Sequence, residues 1–253
     1  MRSLPLHWPA LPGGIGVLST LRSGGVSLPP YDDSKGGGGL NLGTHVGDRP
    51  EAVERNRLLL QTLLPSEPAW LNQVHGVEVV DAQRVITERS LLTADASIAT
   101  QAGTVCAIMT ADCMPVLLAD RRGKVVGAAH AGWRGLAAGV VEATVSRMSA
   151  AGARDIVAWL GPGIGPAHFE VGEDVRQAFS RLGGAADRAF MAMVGQPGKY
   201  LADLPYLARV ALSAVGVHEV SGGEHCTVSE PEHFYSFRRD RVTGRMATLI
   251  WIK

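Results

Sequence analysis

Three apolar runs crowded into residues 105–129 limit the fold of this chain more than any other feature. Residues 105–109, 116–119 and 125–129 are of strand length and lack polar alternation, so each predicts a strand covered on both faces. The stretch 110–135 couples two of these runs, across a polar turn at 120–124, to two side chains able to ligate a metal or act as nucleophiles: Cys113 and His130. Small residues beside both leave space for a ligand.

Around this centre the 253 residues, 46% of them hydrophobic, supply a sizeable core. Residues 15–18 read as an edge strand followed by a turn at Ser23-Gly24-Gly25, and the Gly-rich tract 29–39 reads as a surface loop too flexible to pack. Pro50 opens a helix with Asp48 as its cap and Val53, Leu60, Leu63 and Leu64 as its apolar stripe, closed by Pro65. Strands at 69–72 and 77–80 flank a bend that exposes His75. A helix over 136–151, a strand over 156–160 and a stiff Gly-Pro loop over 161–166 follow. Helices over 173–182 and 204–215 are joined by a Gly-rich connector at 183–198, and a strand over 247–252 comes last. With no short-period repeat and no separating linker, the expectation is one α+β domain over 1–253 with mixed sheets.

Lys+Arg and Asp+Glu both number 24, so no overall field draws in nucleic acid or an anionic membrane, and an anionic ligand needs a local cluster. Three cysteines are too few for a disulfide scaffold and point to a reducing compartment. The N-terminal stretch starts with Arg2 but is broken by Pro5, Pro9 and Pro12, unlike a signal peptide, and no run approaches the roughly 20 apolar residues of a membrane span. The expected location is the cytoplasm.

His75, Cys113 and His130 each fall where a strand meets a turn. Two imidazoles and a thiolate suit zinc, whose catalytic sites keep a fourth position open. Their separations of 38 and 17 positions lack the short spacing of zinc motifs, so the residues equally allow a metal-free Cys113 nucleophile with His130 or His75 as base. Asp112 argues against Cys113 as core filler, because burying a lone carboxylate is costly. Cys106, between Val105 and Ala107, reads as inert, and Cys226 is undecided. Trp133 reads as packing over a helix start, where Arg134 would make an anion cradle; Arg238 and Arg239 would do the same from the far end of the chain. Asp95, between small residues, marks a turn or a site. His45 follows the Asn41-Leu42-Gly43 turn and is placed to face the same cleft. His7, His218 and His225 have no evident partner nearby in sequence, and His168 and His233 read as exposed.

Taken together, Asn41-Leu42-Gly43, Asn72-Gln73-Val74-His75-Gly76, Ala111-Asp112-Cys113-x-Pro115-Val116, His130-Ala131-Gly132-Trp133-Arg134-Gly135, Gly161-Pro162-x-Ile164-Gly165 and Ser229-Glu230-Pro231 through Arg238-Arg239-Asp240, then Thr243-Gly244-Arg245-Met246-Ala247, resemble the YfiH-like purine nucleoside phosphorylase family, once described as multicopper polyphenol oxidoreductases or laccases. The resemblance runs in order over nearly the whole chain. It implies a monomer of α/β/β/α layers with one zinc on His75, Cys113 and His130. It also implies phosphorolysis of adenosine, inosine, guanosine and methylthioadenosine, and deamination of adenosine. Within that picture Asp112 or Asp95 moves protons, Arg134 with Arg238 or Arg239 clamps phosphate, and Asn41, His45 and Gln73 contact substrate. The Gly-rich tract before Asn41 and the pair Ala167-His168 depart from the family pattern. Three rivals stand beside this reading. One is the cysteine hydrolase, and another is a copper polyphenol oxidase, for which eight scattered histidines fall short of paired His-x-His ligands. The last is a non-catalytic zinc module, which needs a closed fourth position.

Overall fold

A computed structural model describes residues 3–253, so Arg2 lies outside the described residues. The three apolar runs become β6 (Val105–Thr110), β7 (Met114–Asp120) and β8 (Val126–Ala131), buried along their entire length. The reason is that they belong to two stacked sheets. A four-stranded sheet runs β1 (Ile15–Ser19), β14 (Met246–Ile252), β6, β3 (Pro68–Ala69), antiparallel except for the parallel β3–β6 pair. A six-stranded sheet runs β13 (Val220–Gly222), β9 (Ile156–Leu160), β7, β8, β5 (Ala96–Ala99), β4 (Val79–Asp81), with parallel pairs at both edges.

Strand alternation assigns each side chain to a layer. Leu117, Ala119, Val157 and Trp159 of the larger sheet meet Cys106, Ile108 and Ile250 of the smaller one. The opposite residues of the larger sheet, Val116, Leu118, Ala158 and Leu160, pack under α3 (Trp133–Ala138), α4 (Val140–Ala150) and α7 (Leu204–Ala214). Val105, Ala107 and Leu249 of the smaller sheet face Leu60 of α1 (Pro50–Gln61), Leu42 and Trp70. The order of layers is therefore α/β/β/α in one α+β domain. A third sheet, β10 (Glu170–Gly172), β12 (Lys199–Ala202) and β11 (Phe190–Ala192), lies among α5 (Glu173–Ala178) and α6 (Gly184–Asp187). The short helices α2 (Ala82–Glu88) and α8 (Phe237–Asp240) complete the set among the described residues.

Several local expectations are corrected. Ser23-Gly24-Gly25 is not a turn but part of β2 (Ser23–Ser27), and the amides of Gly24 and Gly25 donate to Gly38. The end of the Gly-rich tract is accordingly packed: Gly39 is buried against Tyr31 and Tyr235, where any side chain would collide with backbone. Asp48 does not cap α1. Arg49 occupies that position without a side-chain bond, while Asp48 accepts from Ser27 and Asn41. Leu63 lies beyond the helix and is exposed. The helix expected over 136–151 is two helices, because Gly139 adopts φ 103° between them. The connector 183–198 contains α6 and β11. His225 has a partner after all, Glu230 at 3.0 Å, and His218 contacts Ser213 at 3.3 Å.

Two segments cross from the smaller sheet to the larger. One joins β3 to β4 and carries His75; the other joins β6 to β7 and carries Cys113. His130 sits near the end of β8, just before α3. The layer boundary thus brings the three residues to one place.

Candidate metal centre and its cavity

The ligand atoms of His75, Cys113 and His130 all lie within 4.8 Å of one another. Cys113 Sγ is 3.5 Å from His75 Nε2, and tetrahedral zinc with ordinary Zn–S and Zn–N bonds separates such atoms by about 3.5 Å. Both crossing segments hold strained backbone at this point, with φ 63° at His75 and 84° at Asp112.

Asp95 fixes the arrangement from behind. Its carboxylate accepts from His130 Nδ1 at 2.8 Å and from the amides of Val74, His75 and Gly76 at 3.1, 2.9 and 2.6 Å. One carboxylate therefore shapes the His75 bend and selects the His130 tautomer whose Nε2 lone pair is free to ligate. Burial disfavours the charge on Asp95, but the hydrogen bonds from His130 and the amides outweigh it and lower its pKa.

Space is as constrained as charge. A Cβ on Gly132 would lie 2.8 Å from both Cys113 Sγ and His75 Cδ2. The Gly132 backbone, φ −64° and ψ 154°, is ordinary for any residue, so Gly132→Ala perturbs the centre by contact alone. This variant is expected to fold with little change in melting temperature and to lose at least about tenfold in zinc affinity, measured by chelator competition. Unchanged affinity would refute the close-packed arrangement.

Charge state follows from the same geometry. Burial pushes the Cys113 thiol up, but the His130 charge and hydrogen bonds from both imidazoles bring it down to about 6. Burial also disfavours imidazolium at His130, yet the Cys113 thiolate and Asp95 raise its pKa to about 9. Between these values the metal-free pair is thiolate and imidazolium, while ligation requires His130 Nε2 to be unprotonated. Zinc uptake at pH 7.5 is therefore expected to release a proton from His130, and affinity to rise up to about tenfold per pH unit between pH 6 and 9. Calorimetric titration in buffers of different ionisation enthalpy reads this directly, and a release of zero protons would contradict it. Cys106, by contrast, is pushed up to about 12 by burial and is inert.

The centre opens onto a cavity of about 1300 Å³. His45, Gln73, Asp112, Arg134 and Arg238 reach its wall; Asn41, Asp95 and Arg239 do not. Asn41 is fully buried and braces its own turn by accepting from the amides of Gly43 and Arg245. Arg239 is spent on Thr227, Val228 and Phe234 carbonyls and on Asp240. Asp112 accepts from Thr227 Oγ1 and the Arg238 amide, both at 2.6 Å, and so ties α8 to the Cys113 segment. Gln73 exchanges two hydrogen bonds with the Met109 backbone. Trp133 packs on the core, as read, but also lines the cavity, with the Arg134 guanidinium 4.4 Å from its ring centre. Sequence reasoning missed Arg57, Arg245, Trp70, Phe169 and Phe237 on the same wall.

The family described as multi-copper polyphenol oxidoreductase laccase matches residues 16–253. The chain belongs to this family. Relatives of this laccase-family chain include "Purine nucleoside phosphorylase YfiH" of Escherichia coli, 51% identical over 97% of both chains. "Purine nucleoside phosphorylase PA4543" of Pseudomonas aeruginosa is 50% identical over 97% of this chain and 96% of its own. Among solved structures, Neisseria meningitidis protein NMB0706 superposes with a TM-score of 0.91 at 46% identity over all of both chains. Bacillus licheniformis protein YfiH gives 0.85 at 28% identity, covering 94% of this chain and 93% of its own.

Proposed function

We propose that this laccase-family chain is a zinc-dependent purine nucleoside phosphorylase. It cleaves adenosine, inosine, guanosine and methylthioadenosine with phosphate and also deaminates adenosine, as a cytoplasmic monomer. The observation that carries the reading is the open His75–Cys113–His130 set on the wall of a cavity with room for a nucleoside and phosphate together. Two relatives of about half-identical sequence that bear the phosphorylase name support it. When bound, zinc supplies a Lewis acid and acidifies water.

The chain's own residues do the remainder. Asp95 holds the His130 tautomer. Trp133, Phe169 and Phe237 offer aromatic faces to a purine, and the cavity arginines supply positive charge for an oxyanion. Asp112, a carboxylate at the wall next to Cys113, keeps a second lone pair on each oxygen and carries proton transfer in this reading. Zinc is preferred to copper because, among the described residues, this is the one cluster of three metal-ligating side chains, short of what multicopper chemistry requires. The 3.5 Å thiol–imidazole contact also favours a second reading, a metal-free cysteine hydrolase.

Incubating the zinc-loaded protein with adenosine, with and without phosphate, separates these readings. Adenine and ribose 1-phosphate formed only with phosphate, and inosine formed in either case, are the expected products; their absence would overturn the proposal.

A further inference from the structure

Two guanidiniums in the cavity wall have no carboxylate in contact among the described residues, although Glu67 of the same wall acts on one of them, Arg57, from farther off. Among the described residues Arg57 and Arg245 form no ion pair with a carboxylate, and both are held by backbone carbonyls instead. Arg57 Nε and Nη2 donate to Leu42 O at 3.0 and 2.9 Å, and Arg245 Nη1 donates to Thr243 O and Gly244 O at 3.1 and 3.0 Å. Carbonyls orient a cation without neutralising it, and they leave Arg57 Nη1 and Arg245 Nε and Nη2 free to donate. Burial lowers the pKa of both arginines, outweighing the opposing influence of Glu67 on Arg57 and of Cys113 and Asp112 on Arg245. A buried cation held only by neutral acceptors is costly unless an anion joins it, and both arginines share the cavity wall and act on His45.

The mount is rigid and built from one turn. Asn41 Oδ1 accepts the Arg245 amide at 2.9 Å, the Leu42 amide donates to Arg245 O at 3.1 Å, and Leu42 O holds Arg57. A Cβ on Gly43 would stand 2.8 Å from Arg245 Cγ, so glycine there makes room for the arginine stem. Arg57 also stacks 4.3 Å from the centre of the Trp70 ring. His45 lies beside the pair, its protonation disfavoured first by burial and then by the charges of Arg245 and Arg57. Arg245 in turn feels the charges of Cys113 and Asp112, which places this wall next to the metal centre. Arg134 has no comparable mount: it is exposed and rests only on Trp133.

We propose that Arg57 and Arg245, with His45, form an oxyanion subsite that holds orthophosphate as the co-substrate. The co-substrate role rests on the phosphorylase reading; the subsite itself does not. A 5′-phosphate of a nucleotide has the same chemistry, so both sources enter the test.

Calorimetric binding of inorganic phosphate and, separately, of adenosine 5′-monophosphate to zinc-loaded protein tests the assignment with wild type, Arg57→Gln, Arg245→Gln and Arg134→Gln. Arg57→Lys and Arg245→Lys guard against loss of fold, which circular dichroism melting checks without phosphate. The expected result is a tenfold to hundredfold weaker phosphate Kd in each Gln variant of the pair, a smaller loss in the Lys variants, and a KM for phosphate that rises in step while the KM for nucleoside does not. Unchanged phosphate binding in folded variants of the pair, or a loss confined to Arg134→Gln, would overturn the subsite. Arginine-dependent binding of the nucleotide with none of orthophosphate would overturn the co-substrate assignment. Arginine-dependent phosphate binding without phosphorolysis would uphold the subsite and sink the phosphorylase reading instead.

Discussion

Cys113→Ala is expected to lose its zinc and, with it, at least about a thousandfold of the purine-nucleoside activity, while melting close to the metal-free wild type. In the zinc reading the thiolate is the single anionic one of three ligands, so removing it leaves two imidazoles that cannot retain the metal in competition with a chelator. Little else depends on it: Cys113 is half-buried at a cavity wall, and its hydrogen-bonding partners are the two histidines beside it. Alkylation separates the ligand from the nucleophile. A ligating thiolate resists iodoacetamide until zinc is stripped, whereas a metal-free hydrolase nucleophile with a pKa of about 6 reacts at once and loses activity whether or not zinc is present. Full activity in chelated, zinc-free protein would eliminate the metal reading.

The second large effect belongs to a residue that touches no cavity. Asp95→Asn keeps the size of the side chain but turns one acceptor into a donor facing amides and an imidazole that already donate. The expected cost is a tenfold to hundredfold weaker zinc affinity, because the His130 tautomer is no longer fixed, and about 3 kcal/mol of stability from unsatisfied buried donors. Because the hydrogen bonds from His130 and the amides outweigh burial and lower the Asp95 pKa, its stabilisation is present above the ordinary carboxylate range and fades as pH falls through the lowered value. Chelator competition and chemical denaturation measure the two effects separately. A variant with wild-type zinc affinity would show that Asp95 serves only the His75 bend.

His75, Cys113 and His130 were legible as candidates because each stands where a strand-like run meets a turn, and a reactive side chain at that place has few structural uses. The role of Asp95 was not, since nothing in Thr-Ala-Asp-Ala-Ser reveals that it lies behind His130, 35 positions later. The strand that follows it, Ala96–Ala99, offers one strand-favouring side chain, Ile98, among small residues, too little to mark it in the sequence. Arg57 did leave a trace. It shares the face of α1 with the buried Val53, Asn56 and Leu60, at helical spacing, and a guanidinium inside an apolar stripe asks for an explanation. Arg245 stood in the family-like segment 243–247 without a role, because only the tertiary turn at Asn41 shows where it points. The split at Gly139 is the reverse case: good helix formers on both sides hid a residue whose backbone turns left-handed.

The position of β14 has a consequence for how the protein is made. It is an inner strand of the smaller sheet, between β1 and β6, and pairs Ile15 with Ile252 and Ser19 with Thr248. During synthesis the strand made first therefore waits, with its edge open, for one made more than two hundred residues later, while β7 and β8 close as a local hairpin. Arg245 arrives on the same late segment. Assembly of the smaller sheet and the arrival of Arg245 are thus one event, slow because of its long loop closure, and a nascent chain contains His75, Cys113 and His130 before Arg245 can join them.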